Sequence, residues 1–166
     1  GRLLHEILGV PVGLIDNAWG GSAAEAWVRR DVLEQDARFK SLMERTLKSE
    51  ADAANPEALA KYEAQLAAWK IKAEEQKKAN QPVSRGPNSP AGWLSGNARP
   101  GNIYNGSLLP TIGYGIKGAI WYQGESNGGE GTSYFHKMSA LIGGWRKQWG
   151  LGDFPFYFVQ LASFQD

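Results

Sequence analysis

Apolar positions recur with two periods along this chain. Leu3, Leu4, Ile7 and Leu8 stand at helical spacing, and the apolar run VPVGLI at 10–15 follows them. The first pattern predicts a helix end, the second a short buried strand. Trp19-Gly20-Gly21 then makes a turn. Ser22, with Glu25 three residues later, has the spacing of a capping box that opens a second helix. Leu33, Phe39, Leu42, Met43 and Leu47 form one apolar set, and Leu59, Tyr62, Leu66, Trp69 and Ala73 form a stripe at steps of three and four. Asn55-Pro56-Glu57 lies between them, with Asn as N-cap and Pro at the first helical position. Two helices, paired antiparallel, are expected there.

Residues 81–113 are rich in Pro, Gly, Asn and Ser and read as an irregular return. IKGAIWYQ at 116–123 reads as a second buried strand, and 124–132 as a glycine-rich loop. A helix is expected over 133–149, where Phe135, Met138, Leu141, Ile142, Trp145 and Trp149 share helical spacing. FPFYFVQLA at 154–162 reads as a third strand. Strands alternating with helices argue for an α/β domain with a parallel sheet.

Composition sharpens this division. All 21 glycines lie outside 22–85, whereas 29–80 hold 21 of the charged residues and the rest of the chain 14. Residues 30–85 are therefore expected as a charged helical hairpin and loop inserted in a single domain over 1–166. The 166 residues are one domain's worth, at roughly 100–200 residues per domain. A net charge of +1 excludes a broad polybasic footprint, so nucleic acid is not an expected partner. The absence of cysteine excludes disulfides and thiolate zinc sites. No apolar run approaches the ~20 residues of a membrane-spanning helix, and no membrane partner is expected. Seven tryptophans are an excess that suits either core packing or sugar stacking. Trp19 and Trp121 are the two placed at site-facing loops or strand ends.

In an open parallel sheet, ligands gather at the carboxyl ends of the strands. Three loops take that position: 16–22, 123–128 and 163–166. In the first, Gly20 and Gly21 let the backbone approach a ligand at a helix start, as an anion site or as a plain tight turn. The second contains Gly124-Glu125-Ser126-Asn127-Gly128, a G-x-S-x-G pattern. Ser126 as nucleophile would need an acid and then a histidine. The only later histidine, His136, falls on the next helix, and Gly128-Gly129-Glu130-Gly131 stands where a helix should begin. Gln123 is better placed: a strand-end amide can donate to a developing oxyanion. Glu125 suits a general acid, a structural carboxylate, or a glycosidase-type pair with Asp16. No His or Asp stands at metal-ligand spacing beside it, so no metal is expected. His5 and His136 read as helix-face residues.

Four stretches, in order, resemble the sialate O-acetylesterases among the SGNH/GDSL hydrolases. They are WGGSAAEAW at 19–27, IYNGSLLP at 103–110, IKGAIWYQGESN at 116–127 and WRKQWGLGDFPFYFVQL at 145–161. Ser22 and Ser107 replace the family's usual Thr and Met. KYEAQLAAW at 61–69 is similar to an insert of some bacterial members. The resemblance implies part of an SGNH-hydrolase-like (flavodoxin-like) three-layer α/β fold with parallel strands. It also implies removal of O-acetyl groups from sialic acid or a related acetylated sugar, through a serine acyl-enzyme. No cofactor is implied, and a periplasmic or secreted location is. Gly20 or Gly21, together with Gln123, would form the oxyanion hole. Trp19, Glu125 and Asn127 would touch substrate or brace the loop. The family's Gly-x-Ser block and Asp-x-x-His pair have no counterpart in 1–166. The nucleophile and its Asp and His are expected outside this chain, and residues 1–166 alone are expected to be inactive. A non-catalytic carbohydrate-binding or structural domain is the second reading.

Overall fold

The computed structural model describes residues 1–162. Helix α1 (Arg2–Leu8) forms as its apolar spacing predicts and ends at Gly9, whose left-handed backbone (φ 64°) sends its N–H to the His5 carbonyl. The strand expected over 10–15 does not form. Val10, Leu14 and Ile15 are about half exposed or more, and this segment pairs with neither strand described below. An apolar run becomes a strand only when a neighbour takes its backbone groups.

The capping box is also not realised. Ala24–Trp27 is a single 3-10 turn with no side-chain cap from its own flank. The Ser22 hydroxyl accepts instead from the Trp27 indole N–H at 2.9 Å. The Ala24 N–H, left without a local partner, donates to Asn127 Oδ1 at 2.9 Å. A residue more than a hundred positions away thus takes the place the sequence pattern gave to Ser22.

Helices α2 (Arg30–Glu34), α3 (Lys40–Ala53) and α4 (Pro56–Lys78) follow. Asn55 caps α4 as its sequence predicts, its Oδ1 accepting from the N–H of Glu57 at 2.8 Å. The stripe Leu59, Tyr62, Leu66, Trp69 and Ala73 is the half-buried to buried face of α4. Its Trp69 indole donates to the Ser84 carbonyl at 2.8 Å, which folds the return segment back along the helix. Leu33, Phe39 and Met43 belong to the central core, so the charged stretch supplies core residues before it becomes peripheral at α4.

Strands β1 (Ala119–Trp121) and β2 (Phe156–Phe158) pair in parallel, with Ala119 opposite Phe156 and Trp121 opposite Phe158. Helix α5 (Thr132–Trp149) joins them. This is the crossover that parallel pairing requires. Together the described residues form a mixed, mainly helical fold with one small parallel sheet, compatible with part of an α/β hydrolase-like fold. Trp121 and Phe156 pack into the core from one face of the sheet, while Ile120 is 84% and Tyr157 68% exposed on the other. Phe135, assigned to the apolar face of α5, is also exposed.

The core is aromatic. Trp121 lies edge-on to Trp27 and Trp145, with centroids 5.6 and 5.8 Å away, and Phe156 closes the cluster against Trp145. Edge-to-face pairs add about 0.5–1.5 kcal/mol each beyond the area they bury. Much of the tryptophan excess is therefore core. Trp121 in particular is buried and presents no sugar-stacking surface.

Candidate functional site

The loop after residues 10–15 crosses Gly20 and Gly21 before entering the buried segment at Ser22. Gly21 adopts φ 67°, a conformation that glycine supplies without strain. The turn is held by its carbonyls. Asn97 Nδ2 donates to the Gly20 carbonyl at 3.2 Å, and the Ser126 hydroxyl donates to the Gly21 carbonyl at 3.0 Å. Both glycines are exposed, and among the described residues neither N–H donates to a backbone acceptor. A turn pinned by its acceptors with unspent donors is suited to meet an anion.

Beside it lies a cleft of about 200 Å³, with Trp19, Asn97, Asn102, Ile103 and Ser107 in its lining. Trp19 is 57% exposed, so an indole face is open to stacking there. The cleft is smaller than the roughly 300–1,000 Å³ of a typical drug-sized pocket.

The second loop, after β1, is tied to the first from beneath. Gly124 takes φ 150°, and a Cβ there would lie 2.9 Å from Leu161 Cδ1, so the turn out of β1 needs glycine. Gln123 donates from its single amide nitrogen to the Ser22 carbonyl and to Asn127 Oδ1, both at 2.8 Å. Its two N–H groups are thereby used, and in this arrangement none is left for an oxyanion. The Tyr134 hydroxyl lies 2.9 Å from the Gln123 carbonyl and 3.1 Å from its Oε1. Burial chiefly, with the nearby charges of Glu125 and Glu130, pushes the Tyr134 phenol above its ordinary range, against a smaller opposing effect of the Trp121 indole. It stays a protonated donor at neutral pH.

Asn127 is the hub. It is 3% exposed. Its Oδ1 accepts from the Ala24 N–H and from Gln123, and its Nδ2 donates to Glu25 Oε2 and Glu130 Oε1, each at 3.0 Å. Lys137 Nζ donates to the same two carboxylate oxygens, at 2.8 and 2.7 Å. Buried charges persist only when paired, and this one is paired twice. Sequence reasoning did not single out Lys137 or Glu130, and it took Glu25 for a local cap partner. The available signal was a lysine inside the apolar face of α5, with Tyr134, Met138, Leu141 and Trp145 at helical spacing around it.

The remaining sequence candidates are dispersed. Glu125 is exposed, and among the described residues its carboxylate accepts no hydrogen bond, so the bracing considered for it falls to Asn127 and Gln123. Asp16 is exposed. The Ser126 hydroxyl is engaged by Gly21, and His136 Nδ1 lies 3.2 Å from the Arg38 guanidinium. A cation at the imidazole does not suit a base for Ser126. His5 is bonded to the Val10 carbonyl. The loop at 163–166 lies outside the described residues. Among the described residues no cluster of His, Cys, Asp or Glu could hold a metal ion, and no helix is long and apolar enough to cross a membrane.

Residues 95–166 match the family described as carbohydrate esterase, sialic acid-specific acetylesterase. The chain is 30% identical over 172 aligned positions to a sialate O-acetylesterase of Rattus norvegicus, covering 99% of this chain and 28% of that protein. It is 29% identical to the Mus musculus sialate O-acetylesterase and 26% to the human one, over 99% and 98% of this chain and 28% and 24% of those proteins. The chain thus spans about a quarter of the length of the curated relatives it matches. No solved structure matches it. The chain is similar to the sialate O-acetylesterases along nearly its whole length, and residues 95–166 match the sialic acid-specific acetylesterase family of carbohydrate esterases.

Proposed function

We propose that these residues are part of a carbohydrate esterase that removes O-acetyl groups from sialic acid or a related acetylated sugar. The chain contributes a piece of an SGNH-like three-layer domain, with α4 as a peripheral insert. The observation that carries the reading is the Gly20–Gly21 turn, whose carbonyls are pinned and whose N–H groups make no hydrogen bond among the described residues, beside a cleft with an exposed Trp19. Attack by a serine on the acetyl carbonyl puts negative charge on its oxygen. Fixed backbone N–H donors stabilise that charge more than they stabilise the bound ester. Gln123 serves this turn as a brace, since turning its amide toward the anion would release Ser22 or Asn127. The serine, and the histidine and aspartate that move its proton, come from segments outside 1–166.

The test uses the intact protein with 4-nitrophenyl acetate and an O-acetylated sialic acid, together with a fluorophosphonate that labels activated serines. Acetate release and labelling at a serine outside 1–166, both surviving Ser126→Ala, are expected. Sugar binding with neither acetate release nor labelling would replace the esterase by a carbohydrate-binding domain. Labelling that falls on Ser126 itself would restore the nucleophile reading of that residue.

A further inference from the structure

Four side chains beneath the two site loops form a closed ring. Asn127 Nδ2, Glu25 Oε2, Lys137 Nζ and Glu130 Oε1 alternate donor and acceptor, with separations between 2.7 and 3.0 Å. The side chains of Lys137 and Glu25 are 3% and 9% exposed, and that of Glu130 is 30% exposed. We propose that Lys137 is a positioning residue: its ammonium sets the orientation of the Asn127 amide, and through it locks the Gly20–Gly21 segment to the loop after β1.

The physical chain is short. Two carboxylates directed at one amide repel each other, and a neutral NH₂ group offsets that repulsion only weakly. The ammonium between them holds both in place. With Glu25 and Glu130 fixed, only the NH₂ side of Asn127 can face them, so Oδ1 must face the opposite way. On that side stand its two donors, the Ala24 N–H and Gln123 Nε2. Gln123 also reaches the Ser22 carbonyl. Residues 22 and 24, which directly follow Gly20–Gly21, are thereby held from below by one charge on α5. That charge rides on a rigid base, because Leu141 and Trp145 on the same helix are buried in the core. Lys137 touches neither Gly20 nor Gly21, so its effect on any anion there is indirect. The proposal rests on the reading of that turn as the esterase's anion site, and its test separates the two.

In the intact protein, Lys137→Met removes the charge and keeps most of the side-chain length. Glu130→Ala, at the outer edge of the ring, removes the acceptor that Lys137 Nζ and Asn127 Nδ2 share, and keeps the test alive if Lys137→Met does not fold. Hydrogen exchange is followed at the Ala24 amide, with residues 141–145 of α5 as internal reference, and kcat and KM are measured on 4-nitrophenyl acetate. In Lys137→Met, exchange at Ala24 is expected to rise about tenfold or more while 141–145 change little, since only the local opening becomes easier. A fall in kcat of about tenfold with KM nearly unchanged is expected alongside, as for a small misplacement of a transition-state donor. Glu130→Ala should shift both in the same direction by less, since Lys137 stays paired with Glu25. Wild-type exchange at Ala24 in a folded Glu130→Ala or Lys137→Met protein overturns the proposal. So does faster exchange with unaltered kcat. If the wild-type protein releases no acetate, the esterase reading fails, and the exchange measurement still judges the lock.

Discussion

Gln123 and Asn127 show how a single amide's polarity decides a site. The sequence places both at the end of a strand, in a glycine-rich loop, and the donor capacity of Gln123 suggests an oxyanion contact. In the structure that capacity is turned inward, to Ser22 and Asn127. A sign test follows. Gln123→Ala removes two donated bonds and leaves the Ser22 carbonyl without that donor, which should cost about 1–3 kcal/mol. Gln123→Glu sets an acceptor against two acceptors and should cost more than the alanine change, read as the urea midpoint of the intact protein. A glutamate variant as stable as wild type would show that the Nε2 contacts contribute nothing. Asn127→Asp should be worse than Asn127→Ala for a related reason, since it adds a third carboxylate to Glu25 and Glu130.

Among the elements, α2 and α3 are joined by charge. Arg30 Nη2 donates to Glu50 Oε2 at 2.9 Å, and Arg99 Nε donates to Glu50 Oε1 at 3.0 Å. The Arg30 guanidinium chiefly, with Arg99 adding, holds the Glu50 carboxyl below its ordinary 4.5. A depressed carboxylate contributes stability above its unfolded pKa and loses it as pH falls through the folded value. The contribution is therefore complete above about pH 5 and fades below it. Glu50→Gln should lower the melting temperature at pH 7 and flatten its decline between pH 5 and 3. A variant whose acid limb is as steep as wild type's would show that Glu50 is not a source of it. At the start of α4, Asn55→Ala should cost about 1 kcal/mol by removing the cap, measured by thermal unfolding. That element was legible in sequence because a cap, a proline and a stripe are all local signals. The capping box at Ser22 was a local signal too, but Trp27 and Asn127 offered Ser22 and Ala24 better partners.

For the whole molecule, the cleft beside Gly20–Gly21 makes a prediction about selectivity. Trp19 touches the sugar and not the acetyl group in the proposed reading, so Trp19→Ala should raise KM for an acetylated sugar several-fold, in line with one lost stacking contact of about 0.5–1.5 kcal/mol. KM and kcat for 4-nitrophenyl acetate should stay near wild type. Equal losses on both substrates would place Trp19 in the support of the turn instead. Replacing 56–84 by a short linker should leave the protein folded, because Leu33, Phe39 and Met43 lie outside that stretch and α4 contributes only Ala73 as a buried residue.

What the sequence determined by itself were the elements whose stability is local. The helices α1, α4 and α5 lie where periodicity, caps and terminal glycines put them, and the parallel pairing of β1 and β2 follows from the helix between them. The same local signals marked the glycine turns and the loop after β1 as candidate places for chemistry. Tertiary structure decided everything that depends on a distant partner. The apolar run at 10–15 remains without strand pairing, because neither described strand meets it. Trp121 went to the core, edge-on to Trp27 and Trp145, while Trp19 stayed open in an exposed turn. The ring of Glu25, Asn127, Glu130 and Lys137 joins Glu25 to a stretch more than a hundred positions away in sequence. A buried charge shows its purpose only once its partners are in place: periodicity can show that Lys137 lies on an apolar face, but not that two carboxylates and an amide wait there.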